Sequence, residues 1–313
     1  EKQLQVAGRA AITGYGIEKF NAYCQESVLK YTDEWEKVVT RQARWVDFNN
    51  DYKTMDLDYM ESVMWAFKQL WDQGLIYESQ RVIPYSWGAE TPLSNFEIRL
   101  DDATRPRQDP AVTVAFDLLN EEGASTSTKI LAWTTTPWTL PSNLALAVAP
   151  GKEYSLVDTP KGQYILGGET IASFAETFGD FTILETFEGQ KLVNLRYQPL
   201  FPYFQDLDTQ AFRIIPGDFI EMDEGTGVVH IAPGFGEDDQ RIADDNGIPT
   251  VVPVDDEGAF TEEVKEWHGV NVFDANPLII RKLKESGRII RHDTFEHNYP
   301  HCWRTYTPII YRA

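Results

Sequence analysis

The sequence has few cysteines, few cations and no long apolar run. Cys24 and Cys302 are the only cysteines among 313 residues, so a disulfide framework or a cysteine-rich metal site is excluded, which favours a reducing cytoplasm. No apolar segment approaches the roughly 18–20 residues that span a bilayer, and the N-terminus lacks the apolar stretch of a signal peptide. We therefore expect a soluble, cytoplasmic protein without a membrane partner. Because residue 1 is Glu rather than Met, we also expect it to be part of a longer chain.

The charge balance is strongly acidic. Asp and Glu number 49 against 28 Lys and Arg, which gives a net charge of −21. Because phosphate contacts need cations, this balance by itself argues against a nucleic-acid binder. Hydrophobic residues make up 42% of the chain, which is ample for a folded core. The length predicts one large globule with an appended part, or two domains.

Apolar periodicity predicts helices in the first part of the chain. One helix begins at Ile17, a second follows Thr32 as its cap, and a third extends from a cap at Asp56 to a stop at Gly74. The third helix carries an apolar stripe that we interpret as packing, formed by Met60, Val63, Met64, Phe67, Leu70 and Trp71.

The remainder of the chain predicts short strands with few helices. Strands are expected near 112–118, 129–133, 145–149, 154–157, 163–166, 181–186, 212–215, 227–231 and 250–253, and helices near 168–178, 237–246 and 275–286. Many short strands are typical of a closed β-barrel. The predicted fold is therefore α+β and mainly β, with a barrel over 99–291 and helical stem segments at both chain ends, 1–98 and 292–313.

The first segment with chemical potential is 133–143, WTTTPWTLPSN. Its two prolines stiffen the chain and remove backbone donors, so side-chain hydroxyls dominate. Four threonines, one serine and Asn143 form a set of neutral hydrogen-bonding groups that suits a sugar edge, an ester carbonyl or a held water. The alternative is a capped turn with a structural role alone.

The second segment is 225–239, GTGVVHIAPGFGEDD, in which a helix is predicted to begin near Glu237. Acidic residues in a first helical turn ordinarily complement the macrodipole. The same position favours the ionised carboxylate, so we expect Asp238 or Asp239 to stay charged and to suit an α-ammonium group. His230 is either a core residue or a pocket wall.

The sequence offers no convincing nucleophile. Gly-x-Ser-x-Gly and a glycine-rich phosphate loop are absent. His301 and Cys302 are adjacent, so their side chains point apart, and Pro300 interrupts a helix that would join His297 to His301. A metal site at these three residues is a minor alternative.

Both segments resemble the editing insertion of isoleucyl-tRNA synthetases. Segment 133–143 is similar to its threonine-rich segment, and segment 225–239 to its Gly-Thr-Gly-x-Val-His-x-Ala-Pro motif. Thr134-Thr135-Thr136-Pro137-Trp138 favours the isoleucyl enzyme, since the valyl and leucyl enzymes usually carry Thr-Thr-Arg-Pro. Further similarity lies at 44–48, 50–56, 92–97, 301–304 and 307–311.

The resemblance implies hydrolysis of the ester joining valine to the 3′ end of tRNA(Ile), with isoleucine excluded and valyl-adenylate as a second candidate substrate. Asp239 would anchor the α-ammonium, with Asp238 as the fallback. The ribose, carbonyl or attacking water would be held by Thr134, Thr135, Thr136 and Asn143. Substrate-binding roles also fall on His230 beside the amino-acid side chain, Trp138 beside the adenosine, Trp133 and Thr139.

Two departures from the family limit these expectations. Members often hold zinc on paired cysteines, but here the matching stretches, 85–89 and 302–305, contain only Cys302, so we predict no metal and no cofactor. The His-x-Gly-His and Lys-Met-Ser-Lys-Ser signatures of amino-acid activation are absent, so the chain would not aminoacylate.

The expected partners are the tRNA 3′ end, bound weakly, and the remainder of a parent synthetase, with the chain itself monomeric. Three alternatives stay open. They are a module that binds the 3′ end without hydrolysis, a structural insertion, and another hydrolase on a similar barrel.

Overall fold

The structure is a computed structural model that describes residues 3–207 and 210–313. The chain divides into two compact units, 1–79 and 80–313. The expected division into a stem, an editing part and a return segment stays a prediction.

The first unit is helical. Its helices are α1 (Gly8–Tyr15), α2 (Ile17–Leu29), α3 (Thr32–Arg41) and α4 (Leu57–Asp72). The three predicted helices are confirmed, and Gly74 follows α4 in the left-handed conformation, at φ 68°. Thr32 is not a cap, because it already lies inside α3 and its hydroxyl donates to the carbonyl of Leu29.

The predicted packing stripe on α4 is exposed. None of the four helices contains a buried residue, and the exposed fractions along the stripe run from 45% at Met60 to 69% at Met64. Within the first unit, no described residue therefore covers this face.

The second unit is mixed α/β, with large sheets. Its strands are β1 (Ile83–Ser86), β2 (Thr91–Pro92), β3 (Thr104–Leu119), β4 (Ser125–Thr134), β5 (Ala145–Val148), β6 (Glu153–Thr159), β7 (Gly162–Gly167), β8 (Thr182–Glu188), β9 (Arg213–Pro216), β10 (Val228–Ile231), β11 (Ile289–Pro300) and β12 (Ile310–Arg312). Its helices are α5 (Ile171–Phe178), α6 (Glu237–Asp245) and α7 (Val272–Glu285).

The predicted closed barrel is not found among the described residues. The strands form a six-stranded sheet in the order β11-β3-β4-β7-β6-β8 and two three-stranded sheets, β10-β5-β9 and β12-β1-β2. The chain leaves the large sheet at the end of β4 and enters a turn, so that β5 starts a separate sheet. Strand β8 remains an edge, with Ile183 and Leu184 about half exposed.

The prediction of helical segments at both ends is wrong for the C-terminal end. Strand β11 pairs antiparallel with β3 over almost its whole length, and β12 pairs with β1. The first part of β3 pairs with β11 only, so Pro106 and Pro110 lie where one side of the strand needs no backbone donor. The strand predicted at 250–253 is also wrong, since Pro253 lacks a donor and only Val254 forms an isolated bridge.

The main core lies on one face of the large sheet, where side chains alternate along β3. Val112, Val114 and Phe116 face this core, together with buried residues of β5, β9, β10 and α7. Ala115 faces the other way, into a smaller cluster with Phe174 and Phe178 of α5. The core therefore fixes β5 beside β10, which brings segment 133–143 next to segment 225–239.

Candidate functional site

The threonine-rich segment folds back on itself through its own hydroxyls. After β4 ends, Pro137–Ser142 forms a buried 3-10 helix with proline in its first turn. Thr134 Oγ1 accepts from the backbone N–H of Thr136 at 3.0 Å, and Thr139 Oγ1 donates to the carbonyl of Thr136 at 2.9 Å. The capped turn considered above is thus present. Thr135 and Thr136 nevertheless remain partly exposed at its rim.

The second motif meets this segment at His230. Strand β10 pairs antiparallel with β5, and the register sets His230 opposite Leu146, close to the end of the 3-10 helix. His230 Nε2 lies 2.8 Å from Thr139 Oγ1, and Nδ1 lies 3.3 Å from Asn143 Nδ2. Asn143 and His230 are 87 residues apart in sequence, and their contact therefore joins the two segments directly.

The hydrogen bonds around His230 fix its tautomer. Tyr197 donates its hydroxyl to Asn143 Oδ1 at 2.7 Å, and Asn143 Nδ2 donates to the carbonyl of Ala145 at 2.8 Å. The amide nitrogen of Asn143 therefore faces His230 Nδ1 as a donor, so Nε2 carries the ring proton and donates to Thr139. Burial lowers the pKa of His230 to about 4. The imidazole is neutral at pH 7, and both of its nitrogens are occupied.

Asp239 lies in the first turn of α6, where its carboxylate turns back onto the end of the second motif. Its Oδ2 accepts from the backbone N–H of Ala232 at 2.8 Å. Burial raises the pKa of this carboxyl to about 7, against the opposing effect of the Ala232 hydrogen bond. The expectation that the helix start keeps Asp239 fully ionised is therefore wrong, because desolvation outweighs it.

Asp238 lies apart from the site. It is exposed, and its Oδ1 lies 3.1 Å from an Arg241 nitrogen that also contacts Asp218. Asp239 is thus the carboxylate turned towards the buried motif, whereas Asp238 is engaged on the surface.

The two tryptophans of the first segment lie in different surroundings. Trp133 points to the opposite side of β4 from Thr134, since strand side chains alternate, and it contacts the edge of Phe295 with ring centroids 5.7 Å apart. It lines two clefts beside Gly225. Trp138 is only 3% exposed and packs edge-on against Phe235 at 4.9 Å. Neither indole joins the His230 hydrogen-bond network.

The structure therefore unites some of the predicted residues and separates others. Contacts join Thr134, Thr136, Thr139, Asn143 and His230, and Asp239 is joined to the same motif through Ala232. Trp133 and Asp238 lie outside this set, and Thr135 is partly exposed at its rim.

Two polar residues that were not predicted from the sequence support this set. Tyr197 holds Asn143, and Asn276 of α7 accepts from the backbone N–H of Trp138 at 2.9 Å. Tyr197 lies in an irregular stretch that gives no signal. Asn276 does give a sequence signal, because an asparagine between Ala275 and Ile279 interrupts the apolar face of the helix.

The described residues contain no cluster of three or more His, Cys, Asp and Glu suited to a metal ion. Within the same residues, no helix combines the length and the apolarity needed to cross a bilayer.

The chain matches a known protein family. The family model of tRNA synthetases class I (I, L, M and V) matches residues 1–270. The chain belongs to this family. Among its curated relatives, isoleucine–tRNA ligase of Rickettsia peacockii (strain Rustic) is 54% identical over 100% of the chain, and that of Rickettsia prowazekii (strain Madrid E) is 53% identical over 100%. The chain spans 29% and 30% of the length of these two relatives.

Two solved structures were also matched. A crystal structure described as GlLeuRS-CP1 aligns with 58% of this chain and 98% of its own, at 16% identity and a TM-score of 0.46. The editing domain of the Plasmodium falciparum cytosolic leucyl-tRNA synthetase aligns with 60% of this chain and 99% of its own, at 11% identity and a TM-score of 0.44.

Proposed function

We propose that this chain is the proofreading region of an isoleucyl-tRNA synthetase, which hydrolyses the ester of valine on tRNA(Ile) and excludes isoleucine. Valyl-adenylate is a second substrate of the same site. The observation that carries the proposal is the buried hydrogen-bond network, because it joins the threonine-rich segment to the second motif at one place. The chain would act in the cytoplasm as a monomeric part of its parent enzyme and would not aminoacylate by itself.

Asp239 is proposed to hold the α-ammonium group of the substrate amino acid. Its carboxyl has a pKa of about 7, so the protonated and ionised forms are both populated near neutral pH. An arriving ammonium favours the ionised form, and the resulting buried ion pair is stronger than a solvated one. The exposed position of Asp238 and its contact with Arg241 support Asp239 as the anchor.

The hydroxyls of the first segment are proposed to bind the terminal ribose, the ester carbonyl and the attacking water. Thr135 and Thr136 reach the rim, whereas Thr134 and Asn143 are buried behind it. Asn143 acts here through His230, because its amide is already bonded to Tyr197 and Ala145. We therefore propose that Asn143 and His230 set the position of the loop rather than touch the reacting atoms.

The proposed reaction needs no protein nucleophile. His230 is a poor base, because burial lowers its pKa to about 4 and both ring nitrogens are hydrogen-bonded. A water oriented by neutral donors, assisted by the neighbouring ribose hydroxyl, would attack the ester. Positioning and electrostatic stabilisation then supply the rate enhancement.

A second selection step, by hydrolysis, is needed because binding discriminates too weakly between isoleucine and valine. One methylene discriminates two substrates by about 1–3 kcal/mol in an apolar pocket, a general value for which isoleucyl-tRNA synthetase facing valine is the standard example. Hydrolysis of the smaller product adds a second, independent selection.

The test compares release of valine and isoleucine from tRNA(Ile) by this chain and its Asp239→Ala variant. Loss of one partner of a buried charge pair costs about 2–5 kcal/mol, so we expect valine release to fall at least about 30-fold. Asp238→Ala is the matched control, since it removes an adjacent but exposed carboxylate. Equal release from Asp239→Ala and the unmodified chain would refute the anchor. Binding of Val-tRNA without hydrolysis would favour a module that only docks the 3′ end.

A further inference from the structure

A cleft of about 570 Å³ lies between α7 and the β3–β11 pair, and its charged side chains are mostly cations. Arg107, Arg281 and Lys284 line it. Among the described residues that line it, the only carboxylate is Asp109, which is buried and already held by Arg107 Nε at 2.8 Å and by His297 Nε2 at 2.9 Å. The chain has a net charge of −21, so this cationic cleft differs from the rest of the chain, and its charge suits an anionic ligand.

The free positive charge of the cleft lies on α7. Arg281 and Lys284 are three residues apart and therefore share one helix face, and both are exposed. Lys284 Nζ donates to His292 Nδ1 across the cleft at 2.9 Å. Burial and the Lys284 charge lower the pKa of His292 against the opposing effect of Asp293, so the ammonium of Lys284 faces an uncharged ring. Among the described residues of the lining, no carboxylate is paired with Arg281 or Lys284.

The floor of the cleft is apolar and is joined to the candidate site. Phe273 and Ile280 line it, and the Arg107 guanidinium lies over the Phe273 ring at 4.5 Å. Asn276 lines it as well and accepts from the backbone N–H of Trp138 in the threonine-rich segment. The Phe273 ring is covered by this guanidinium, so the planar Arg107 group, together with the two cations of α7, suits a ligand that carries both phosphates and flat bases.

We propose that this cleft binds the phosphate backbone of the unpaired 3′ end of tRNA as it enters the candidate site. The inference rests on the proposed function, which makes that end the substrate. An acidic peptide would also match the cations, but the Asn276 contact joins the cleft to the segment proposed to bind the tRNA 3′ end, which favours RNA. The cleft would also allow an acidic chain to bind RNA, because the phosphate contacts would be confined to one small cationic surface.

The test measures binding of a fluorescent single-stranded RNA that ends in CCA, by anisotropy over a series of salt concentrations. The variant is the double substitution Arg281→Gln with Lys284→Gln. The control is Lys265→Gln with Lys282→Gln, which removes the same charge from exposed positions outside the cleft, Lys282 being on the same helix. We expect the cleft variant to bind about tenfold more weakly at 0.1 M salt. The slope of log K against log salt should fall by about 1.4, or about 0.7 for each lost phosphate contact.

Two outcomes would overturn the proposal. One is an equal loss of RNA binding in the cleft and control variants, which would show that RNA binding depends on net charge and not on the position of the cations in the cleft. The other is binding of a polyglutamate probe that depends on Arg281 and Lys284, without RNA binding, which would assign the cleft to an acidic protein. The assay uses unacylated RNA and no turnover, so it stands apart from the hydrolysis test. If the chain releases valine but RNA affinity is the same in the cleft variant as in the unmodified chain, only this inference fails.

Discussion

Asp239 makes folding stability depend on pH, with a sign opposite to that of most aspartates. The unfolded chain releases this proton near pH 3.8, whereas the folded protein holds it to about pH 7. Between these values the folded state binds more protons, so the free energy of unfolding falls as pH rises through the window and stays reduced above it. A shift of about three pKa units corresponds to at most about 4 kcal/mol.

Asp239→Asn isolates this effect, because asparagine keeps the shape and an oxygen that accepts from Ala232. At pH 5 the folded Asp239 carboxyl is still neutral but the unfolded one is already ionised, so the variant should already be more stable by about 2 kcal/mol. At pH 8.5 the variant should be more stable, by up to about 4 kcal/mol. Urea unfolding followed by circular dichroism at the two pH values measures both differences.

Asp238→Asn is the control for Asp239→Asn. Its carboxylate is exposed and its contact with Arg241 is a surface ion pair, so its effect should stay within about 1 kcal/mol at both pH values. A gain for Asp239→Asn that is the same at pH 5 and pH 8.5 would show that the Asp239 carboxyl of the folded protein is already ionised at the lower pH. The desolvation argument would then be wrong.

Three further predictions concern the supports of the candidate site. Tyr197→Phe leaves Asn143 Oδ1 without its donor and should lower the unfolding free energy by about 1–3 kcal/mol in urea titrations, and no change would contradict the network. Gly234→Ala drives a methyl group against the Val251 carbonyl and should cost about 1–3 kcal/mol by thermal melting, whereas Gly151→Ala meets open space and serves as its control. Asn276→Ala leaves the Trp138 N–H unpaired and should slow valine release, with Asn276→Asp, which keeps an acceptor, restoring it.

Local patterns predicted much of the secondary structure. Three of the four helices in the first unit, α2 to α4, and most short strands follow from apolar period and from Gly and Pro positions, as at Gly74, whereas α1 was not predicted. The long β3–β11 pair was underestimated, because its strands carry prolines and charges that are tolerated only where a strand has one neighbour. Sheet order does not follow from local pattern, so the strands suggested a barrel that the pairing does not form.

The candidate site was predictable in its residues but not in its electrostatics. Both motifs stand out in the sequence, and the structure brings Thr139 and Asn143 to His230. The pKa of Asp239 was not predictable, because position in a helix is local whereas burial depends on the whole fold. Tyr197 was missed for the same reason, since its hydroxyl reaches Asn143 across 54 residues of sequence.

The alternation of Trp133 and Thr134 on β4 limits where this chain can change length. Deleting one residue before Trp133 would shift the register by one and turn every following side chain to the opposite face, so that the indole would replace the threonine hydroxyl beside the network. Insertions in the turn 120–124 between β3 and β4 would leave that register intact, because the turn lies at an exposed hairpin end. Homologous chains should therefore differ in length at this turn and keep a constant number of residues from Lys129 to Asn143.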